Sequence, residues 1–284
     1  MTWVTRFAPS PSGYLHLGHA HSALFAWRRA KAAGGRFLLR IEDIDLGRCR
    51  REFEDAIYED LAWLGMAWET PVRRQSEHMD DYARALDRLR HAGLLYPCFC
   101  TRKEIQAEIA QADSAPHGPD GPLYPGTCRD LPEDERQRRL TEGRSHALRL
   151  DMAKAVAAAG PVIWRDLGQD SDPRDIAADP AAHGDVVLAR KEMPTSYHLA
   201  VTVDDALQGI THVIRGADLF AATHVHRLLQ ALLGLPVPAW QHHDLITDER
   251  GQRLAKRHDA LSIRSLRESG ESAAAVRAMA GFPD

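Results

Sequence analysis

The sequence predicts an α/β protein built on a parallel sheet. Three observations carry this: a short β-prone run at the start, a long helical run behind it, and a strongly apolar second strand close enough to complete a βαβ unit. The first strand is expected over 2–7 and ends before Pro9 and Pro11, which stop strand and helix alike. Gly13 frees the backbone of the following loop. A helix is expected over 17–33, closed by Gly34-Gly35, and the second strand over 36–42. Residues 52–64 read as an amphipathic helix ended by Gly65. Ser76 is expected to N-cap a helix reaching His91, which Gly93 ends. Residues 94–99 lead into Thr101-Arg-Lys-Glu104, a capping box that opens another helix. Between Asp113 and Pro132 the composition shifts to Pro, Gly, His and Asp, marking a loop-rich insertion. Further strands are expected at 186–190, 199–203 and 210–215, and a helix at 223–233; no internal repeat is visible.

Bulk properties suit a folded enzyme outside the membrane. The chain has 284 residues, 44% of them hydrophobic and 27% charged, enough to bury a proper core. No apolar run reaches membrane-spanning length and no signal segment opens the chain, so the cytoplasm is the expected location. The net charge of −4 does not announce a nucleic-acid binder, although Arg136-Gln-Arg-Arg139 and Arg253 to Arg257 could still meet phosphates. Four cysteines, three of them clustered, do not form a secreted disulfide framework. Trp27, Trp63 and Trp68 read as packing residues.

Two distant segments carry the chemistry. The loop Arg6-Phe7-Ala8-Pro9-Ser10-Pro-Ser-Gly leads into His16-Leu-Gly18-His19 at a helix start. Free backbone N–H groups and a helix N-terminus suit an anion there. His16 and His19, three apart, share one face and can donate hydrogen bonds to phosphate oxygens; the same spacing would also fit surface histidines or a metal pair. More than two hundred residues later, Asp248-Glu-Arg-Gly251 reads as a turn before Arg253-Leu-Ala255-Lys256-Arg257. A lysine on a flexible stem is a mobile point charge, able to follow a polyphosphate as charge moves onto a leaving group. Such runs also occur as solvated basic patches.

A metal signal lies in the insertion. Cys98-Phe-Cys100 and Cys128 can supply three corners of a zinc tetrahedron, with the Tyr124 oxygen as fourth and His117 as its rival. Three buried free cysteines would look the same in sequence. Cys49 lies apart and reads as a free thiol.

Taken in order, these segments resemble the glutamyl and glutaminyl branch of class I aminoacyl-tRNA synthetases. The resemblance covers nearly the whole chain and rests on Arg6 to Ser10, His16 to His19, Leu39-Arg-Ile-Glu42-Asp43, Tyr197-His-Leu-Ala, Val203-Asp-Asp, Ile214-Arg215-Gly-Ala-Asp218-Leu and the Lys256 loop. Against that family's Lys-Met-Ser-Lys loop, Arg253 and Ala255 replace the first lysine and the serine, which implies weaker loop contacts with activity retained. The sequence stops at Asp284, where a glutamyl-tRNA synthetase continues into an anticodon-reading region. It is therefore similar to the shortened glutamyl-Q tRNA(Asp) synthetase family, which attaches glutamate to queuosine at the wobble position of tRNA(Asp).

The resemblance implies a Rossmann-like class I synthetase catalytic domain with a zinc-bearing α+β insertion. The expected division is catalytic first half 1–97, insertion 98–182, catalytic second half 183–245, and lysine loop with a short helical segment 246–284, without an anticodon-binding domain. Implied cofactors are one structural Zn²⁺ on Cys98, Cys100, Tyr124 and Cys128, and Mg²⁺ with ATP. Arg6 and Arg215 resemble glutamate-contacting arginines, since a guanidinium fork matches a carboxylate. Phe7, Ala8, Pro9, Ser10 and Tyr197 are the implied walls, and Glu42 the partner of the substrate ammonium. His16, Gly18, His19 and Lys256 are implied to hold ATP, with His16, His19 and Lys256 catalytic. Two simpler readings stand beside these: Arg40, Glu42 and Asp43 ending a strand as solvated charges, and Arg215 pairing with Asp218. The expected partners are ATP, L-glutamate and queuosine-bearing tRNA(Asp), with the chain monomeric and no membrane. A minimal enzyme charging tRNA(Glu) and an idle RNA-binding paralogue are the alternatives. Retention of His16, His19, Glu42, Arg215 and Lys256 speaks against the idle form.

Overall fold

The computed structural model describes residues 2–111, 117–119, 121–169, 172–246 and 262–283. Its first half runs β1 (Val4–Phe7), α1 (Leu17–Ala32), β2 (Arg36–Ile41), α2 (Arg51–Trp63), β3 (Glu69–Arg74), α3 (Met79–His91), β4 (Leu95–Cys98), α4 (Arg102–Gln111), β5 (His117–Gly118), β6 (Gly121–Pro122) and α5 (Glu133–Thr141). It continues with β7 (Ala147–Leu150), α6 (Met152–Ala159), β8 (Ile163–Asp166), β9 (Arg174–Ala177), β10 (Val187–Ala189), α7 (Tyr197–Leu207), β11 (His212–Gly216), α8 (Ala222–Leu233), β12 (Ala239–His243), α9 (Ile263–Glu268) and α10 (Ala273–Met279).

Parallel strands β1, β2 and β3 pair side by side, and β11 pairs in parallel with β12. The two sets meet where Thr211 N donates to Val4 O (2.9 Å) and Val4 N donates to Thr211 Oγ1 (2.8 Å). The spatial order is therefore β3-β2-β1-β11-β12, continued by β8 and β9 beyond β12. From β1 the chain builds outward on one side, then returns to build on the other. A crevice opens outside the carboxyl ends of strands at such a switch point. Phe7, Ile41, Gly216 and His243 end the strands that border it.

Buried apolar faces hold the layers. Leu17, Ala20, Leu24 and Ala26 of α1 pack with Phe37 and Leu39 of β2, Ile57 and Leu61 of α2, and Ile263 and Val276 of the last two helices. Trp27, Trp63 and Trp68 pack against this cluster, as expected of core residues. A second cluster joins α3, α6, α7 and α8, and a third sets Trp164 of β8 against Trp240 of β12, Val4 and Leu38. Of the span 98–182, β7 forms an antiparallel sheet with β4 and β10, which flank that span, whereas β8 and β9 lie beside β12 of the parallel sheet. None of the described helices is long and apolar enough to cross a membrane.

Several local expectations change. Residues 199–203 lie inside α7, not in a strand; all five are buried, Leu199, Ala200 and Val203 in the second cluster, and a continuously buried run carries no period to separate strand from helix. Ser76 does not cap α3. It sits in a 3₁₀ turn (Gln75–Glu77), and its N–H (2.8 Å) and hydroxyl (2.6 Å) both donate to the Asp43 carboxylate, while His78 precedes the helix without a side-chain cap. The Thr101–Glu104 capping box is present in both directions. Arg136, Arg138 and Arg139 pair with Glu133 and Glu135 of α5 and with Glu142 just beyond it, so that basic stretch is locally balanced.

Candidate active site

A cavity of about 530 Å³ occupies the crevice, lined by segments from β1, α1, β2, α7, β11 and the end of β12. It brings together Arg6, Phe7, Ala8, Ser10, His16, Gly18, His19, Glu42, Tyr197 and Arg215. Pro9 sits behind them, where its carbonyl accepts the Glu42 N–H (3.0 Å). Lys256, with the whole stretch 247–261, lies outside the described residues. The chain nevertheless enters that stretch from Leu245 and Ile246 in the cavity wall, and leaves it at Ser262, which bridges to His16.

His16 and His19 cap the N-terminus of α1 reciprocally. Gly18 N donates to His16 Nδ1 (3.1 Å) and His16 N donates to His19 Nδ1 (3.2 Å). With both Nδ1 atoms accepting, a neutral ring carries its proton on Nε2, where it can be donated outward. A Cβ on residue 18 would stand 3.1 Å from the His16 ring, so glycine leaves room for the ring to fold over the helix end. The rings lie 3.8 Å apart.

Charge on the floor is arranged unevenly. Arg6, at 4% exposure, grips Asp205 through two hydrogen bonds (2.9 and 3.2 Å). Arg40 donates to Asp205 (2.8 Å), Gln208 (3.0 Å) and Glu42 (3.0 Å) and lies 3.7 Å from Asp204. Asp204 also takes hydrogen bonds from Arg73 (2.7 Å), Gln75 (2.8 Å) and Tyr82 (2.9 Å). Burial disfavours the charged forms here, but Arg6 and Arg40 outweigh it and hold the Asp205 carboxyl below its ordinary range. Burial would also lower Arg40, yet Asp205, Glu42 and Asp204 raise it. For Glu42 burial wins, raising its carboxyl against the pull of Arg40 and Arg6. Arg40 and Glu42 are thus a packed ion pair, and Asp43, 5% exposed, is held by Ser76; none of the three is a solvated strand end.

Arg215, 5% exposed, lives differently. Its N–H groups meet Thr223 Oγ1 (2.7 Å), Leu219 O (3.1 Å), His226 Nδ1 (3.3 Å), Tyr197 OH (3.4 Å) and His242 Nε2 (3.4 Å). Among the described residues none of its hydrogen-bond partners is a carboxylate, and Asp218 is not one of them. Burial lowers its pKa. Burial together with the Arg215 charge pushes His242 down to about 3 and His226 well below the histidine range, so both rings are neutral.

Sequence reasoning gave no role to Arg40, Asp204, Asp205, Thr223, His226 or His242. The first three stood inside quoted motifs, where a carboxylate pair behind two arginines is visible only after folding. Thr223, His226 and His242 carried no signal, because lone polar residues in an apolar helix and strand read as ordinary packing.

The cysteines form a second cluster. The Sγ atoms of Cys98, Cys100 and Cys128 lie within 4.8 Å of one another and could hold a metal ion. Tyr124 OH stands 3.4 Å from Cys98 Sγ and 3.7 Å from Cys100 Sγ, and accepts the Cys128 N–H (2.8 Å). The hydrogen bond to Cys128 and burial push the Cys98 thiol up to about 12, while the same contact holds Cys128 down to about 6. Three thiols without a disulfide around one phenol oxygen fit a closed zinc site. His117, on the exposed strand β5, is not in the cluster. Cys49 is a free thiol near Ser10 Oγ (3.6 Å).

Comparison with known proteins agrees with this geometry. The family described as tRNA synthetases class I (E and Q), catalytic domain, matches residues 2–280. A glutamyl-Q tRNA(Asp) synthetase of Rhodobacter capsulatus is 49% identical, covering 98% of this chain and all of that protein. A glutamate–tRNA ligase of Aquifex aeolicus is 41% identical over 94% of this chain and 54% of its own length. Among solved structures, a glutamate tRNA ligase from Elizabethkingia meningosepticum in complex with its amino acid superposes with a TM-score of 0.72 at 29% identity, covering 95% of this chain and 53% of that one. With its parallel sheet, its crevice at the switch point and this likeness along its length, the chain belongs to the glutamyl-Q tRNA(Asp) synthetase family of class I tRNA synthetase ligases.

Proposed function

We propose that this enzyme activates L-glutamate with ATP and transfers it to the queuosine base at the wobble position of tRNA(Asp). The observation that carries the glutamate half is Arg215, a buried cation with neutral partners on the floor of the cavity. A ligand carboxylate supplies the missing counter-charge, and Glu42 on another wall suits the ammonium of the same amino acid. Arg6 completes the positive side while anchored to Asp205. Support for the queuosine acceptor comes from the name and 49% identity of the Rhodobacter relative. The 41% identity to a glutamate–tRNA ligase keeps charging of tRNA(Glu) as the second reading.

The reaction runs in two displacements. An α-carboxylate oxygen of glutamate attacks the α-phosphorus of ATP in line, forming the acyl-phosphate bond as pyrophosphate leaves. His16 and His19, fixed as Nε2–H donors by their caps, neutralise charge developing on phosphate oxygens. Mg²⁺, the family's companion of ATP, would supply further phosphate neutralisation. Lys256 is assigned to the departing pyrophosphate. A hydroxyl of the queuosine cyclopentenediol then attacks the glutamyl carbonyl, AMP leaves, and its phosphate takes the hydroxyl proton. Cys98, Cys100, Cys128 and Tyr124 would hold a Zn²⁺ with every position filled by protein, which gives it a structural role. The four-part division of the chain is kept as a proposal, with β8 and β9 as the portion of the insertion shared with the main sheet.

The test is transfer of radiolabelled glutamate, with ATP and Mg²⁺, to queuosine-bearing tRNA(Asp), queuosine-free tRNA(Asp) and tRNA(Glu). Label on the first alone is expected. Label on tRNA(Glu) in its place makes this a charging enzyme.

A further inference from the structure

Arg215 is held by groups that fix its direction and give it no charge. A guanidinium only donates, so each ring nitrogen facing it must accept. His226 Nδ1 therefore carries no proton, which leaves the ring proton on Nε2, 3.2 Å from His198 Nδ1. His242 Nε2 accepts from the Thr223 hydroxyl (3.2 Å) and faces Arg215 Nε (3.4 Å). Its proton is then on Nδ1, a buried atom without a hydrogen-bond partner, 4.0 Å from Asp166 Oδ1. Both rings are nearly inaccessible, at 3% and 9% exposure. A carboxylate in either place would satisfy the guanidinium from inside the protein, as Asp205 does for Arg6.

We propose that His226 and His242 are specificity-determining positioning residues: as neutral acceptors they aim Arg215 into the cavity while leaving its charge for the carboxylate of the incoming amino acid. The inference rests on the reading of Arg215 as a carboxylate receiver and explains how that receiver is kept unsaturated. Two neutral rings orient the fork at little electrostatic cost, because their lone pairs accept without cancelling its charge. With the reserved charge facing the side-chain carboxylate of glutamate, a substrate with a neutral side chain leaves it unpaired.

The test compares a charged and a neutral replacement at each ring, using ATP–pyrophosphate exchange driven by L-glutamate or L-glutamine. His226→Asn keeps an amide oxygen near the Nδ1 position, and His242→Gln keeps one near Nε2. His226→Asp and His242→Glu place a carboxylate there instead. The expected result is that both amide variants stay within about threefold of the parent in KM for glutamate. Both carboxylate variants should raise it at least about 30-fold, with kcat and the KM for ATP nearly unchanged. The preference for glutamate over glutamine should narrow in the carboxylate variants, and their Tm should hold or rise because a buried charge gains a partner. If amide and carboxylate variants lose activity and Tm alike, the rings are merely structural and the proposal is wrong. Unchanged glutamate KM in both carboxylate variants overturns it equally. Absence of glutamate-dependent exchange in the unaltered protein, by contrast, removes the reading of the site beneath it.

Discussion

Arg6 and Arg215 each stand one residue before the end of neighbouring strands, border one cavity and are almost equally buried, yet they are chemically opposite. Arg6 meets a carboxylate through two hydrogen bonds, and the same carboxylate serves Arg40. Arg215 meets two neutral rings, two hydroxyls and a carbonyl. The first arrangement makes a cation part of the fold. The second leaves a buried cation without a carboxylate among its hydrogen-bond partners, with its desolvation cost only partly offset. Exposure alone would have ranked the two residues together; their partners separate them.

The comparison is easiest to break at Asp205. Asp205→Ala leaves Arg6 and Arg40 buried beside an empty position and should cost about 3–5 kcal/mol of unfolding free energy, read by denaturant titration. A loss below 1 kcal/mol would mean that the Arg6 network is not structural. Arg215→Met should behave in the reverse sense. Glutamate-dependent exchange is expected to fall at least about 100-fold, while stability holds or improves because an uncompensated charge is gone. Parallel loss of stability would place Arg215 with Arg6. Lys256→Ala adds a third cation with a different duty: kcat for exchange should fall about tenfold or more while KM for glutamate changes little, as expected for charge stabilised only in the transition state.

The smallest effect concerns carboxylates with and without compensation. Asp60, on α2, is fully buried, and among the described residues its ion-pair contact is Arg267, at 3.6 Å. Burial raises it to about 6, against the partial pull of Arg267. The folded chain keeps this proton while the unfolded chain releases it near pH 4, so stability falls as pH rises from about 4 to 6. Asp205 acts in the opposite direction: its lowered pKa gives stability that is present above about pH 4 and lost as pH drops further. Asp60→Asn should flatten the stability profile between about pH 4 and 6 without altering the acid limb. A profile unchanged by that substitution would show that Asp60 is ionised in the fold.

Much of the site was readable before folding because its parts are local. The Pro-Ser-Pro-Ser-Gly loop, the histidines three apart and the Cys-x-Cys pair announce a turn, a helix start and a thiol pair through spacing alone. The Ser76 cap failed for a related reason: a serine before a helical run is a general signal, and the Asp43 carboxylate 33 positions earlier in the chain competed for it and won. Residues 199–203 failed because complete burial erases the periodicity that distinguishes strand from helix.

By itself the sequence determined the order of strands and helices in the first βαβ unit, the helix start at His16 and the Cys98-x-Cys100 pair, since each depends on residue type and short-range spacing. Tertiary structure alone decided which arginine meets a carboxylate of the fold and which meets only neutral hydrogen-bond partners. That choice is set by Asp205 arriving from α7 beneath Arg6, and by His226 and His242 arriving from α8 and β12 around Arg215. Charge compensation acts over a few ångströms in a dry interior, and only the folded chain brings groups so distant in sequence within that range.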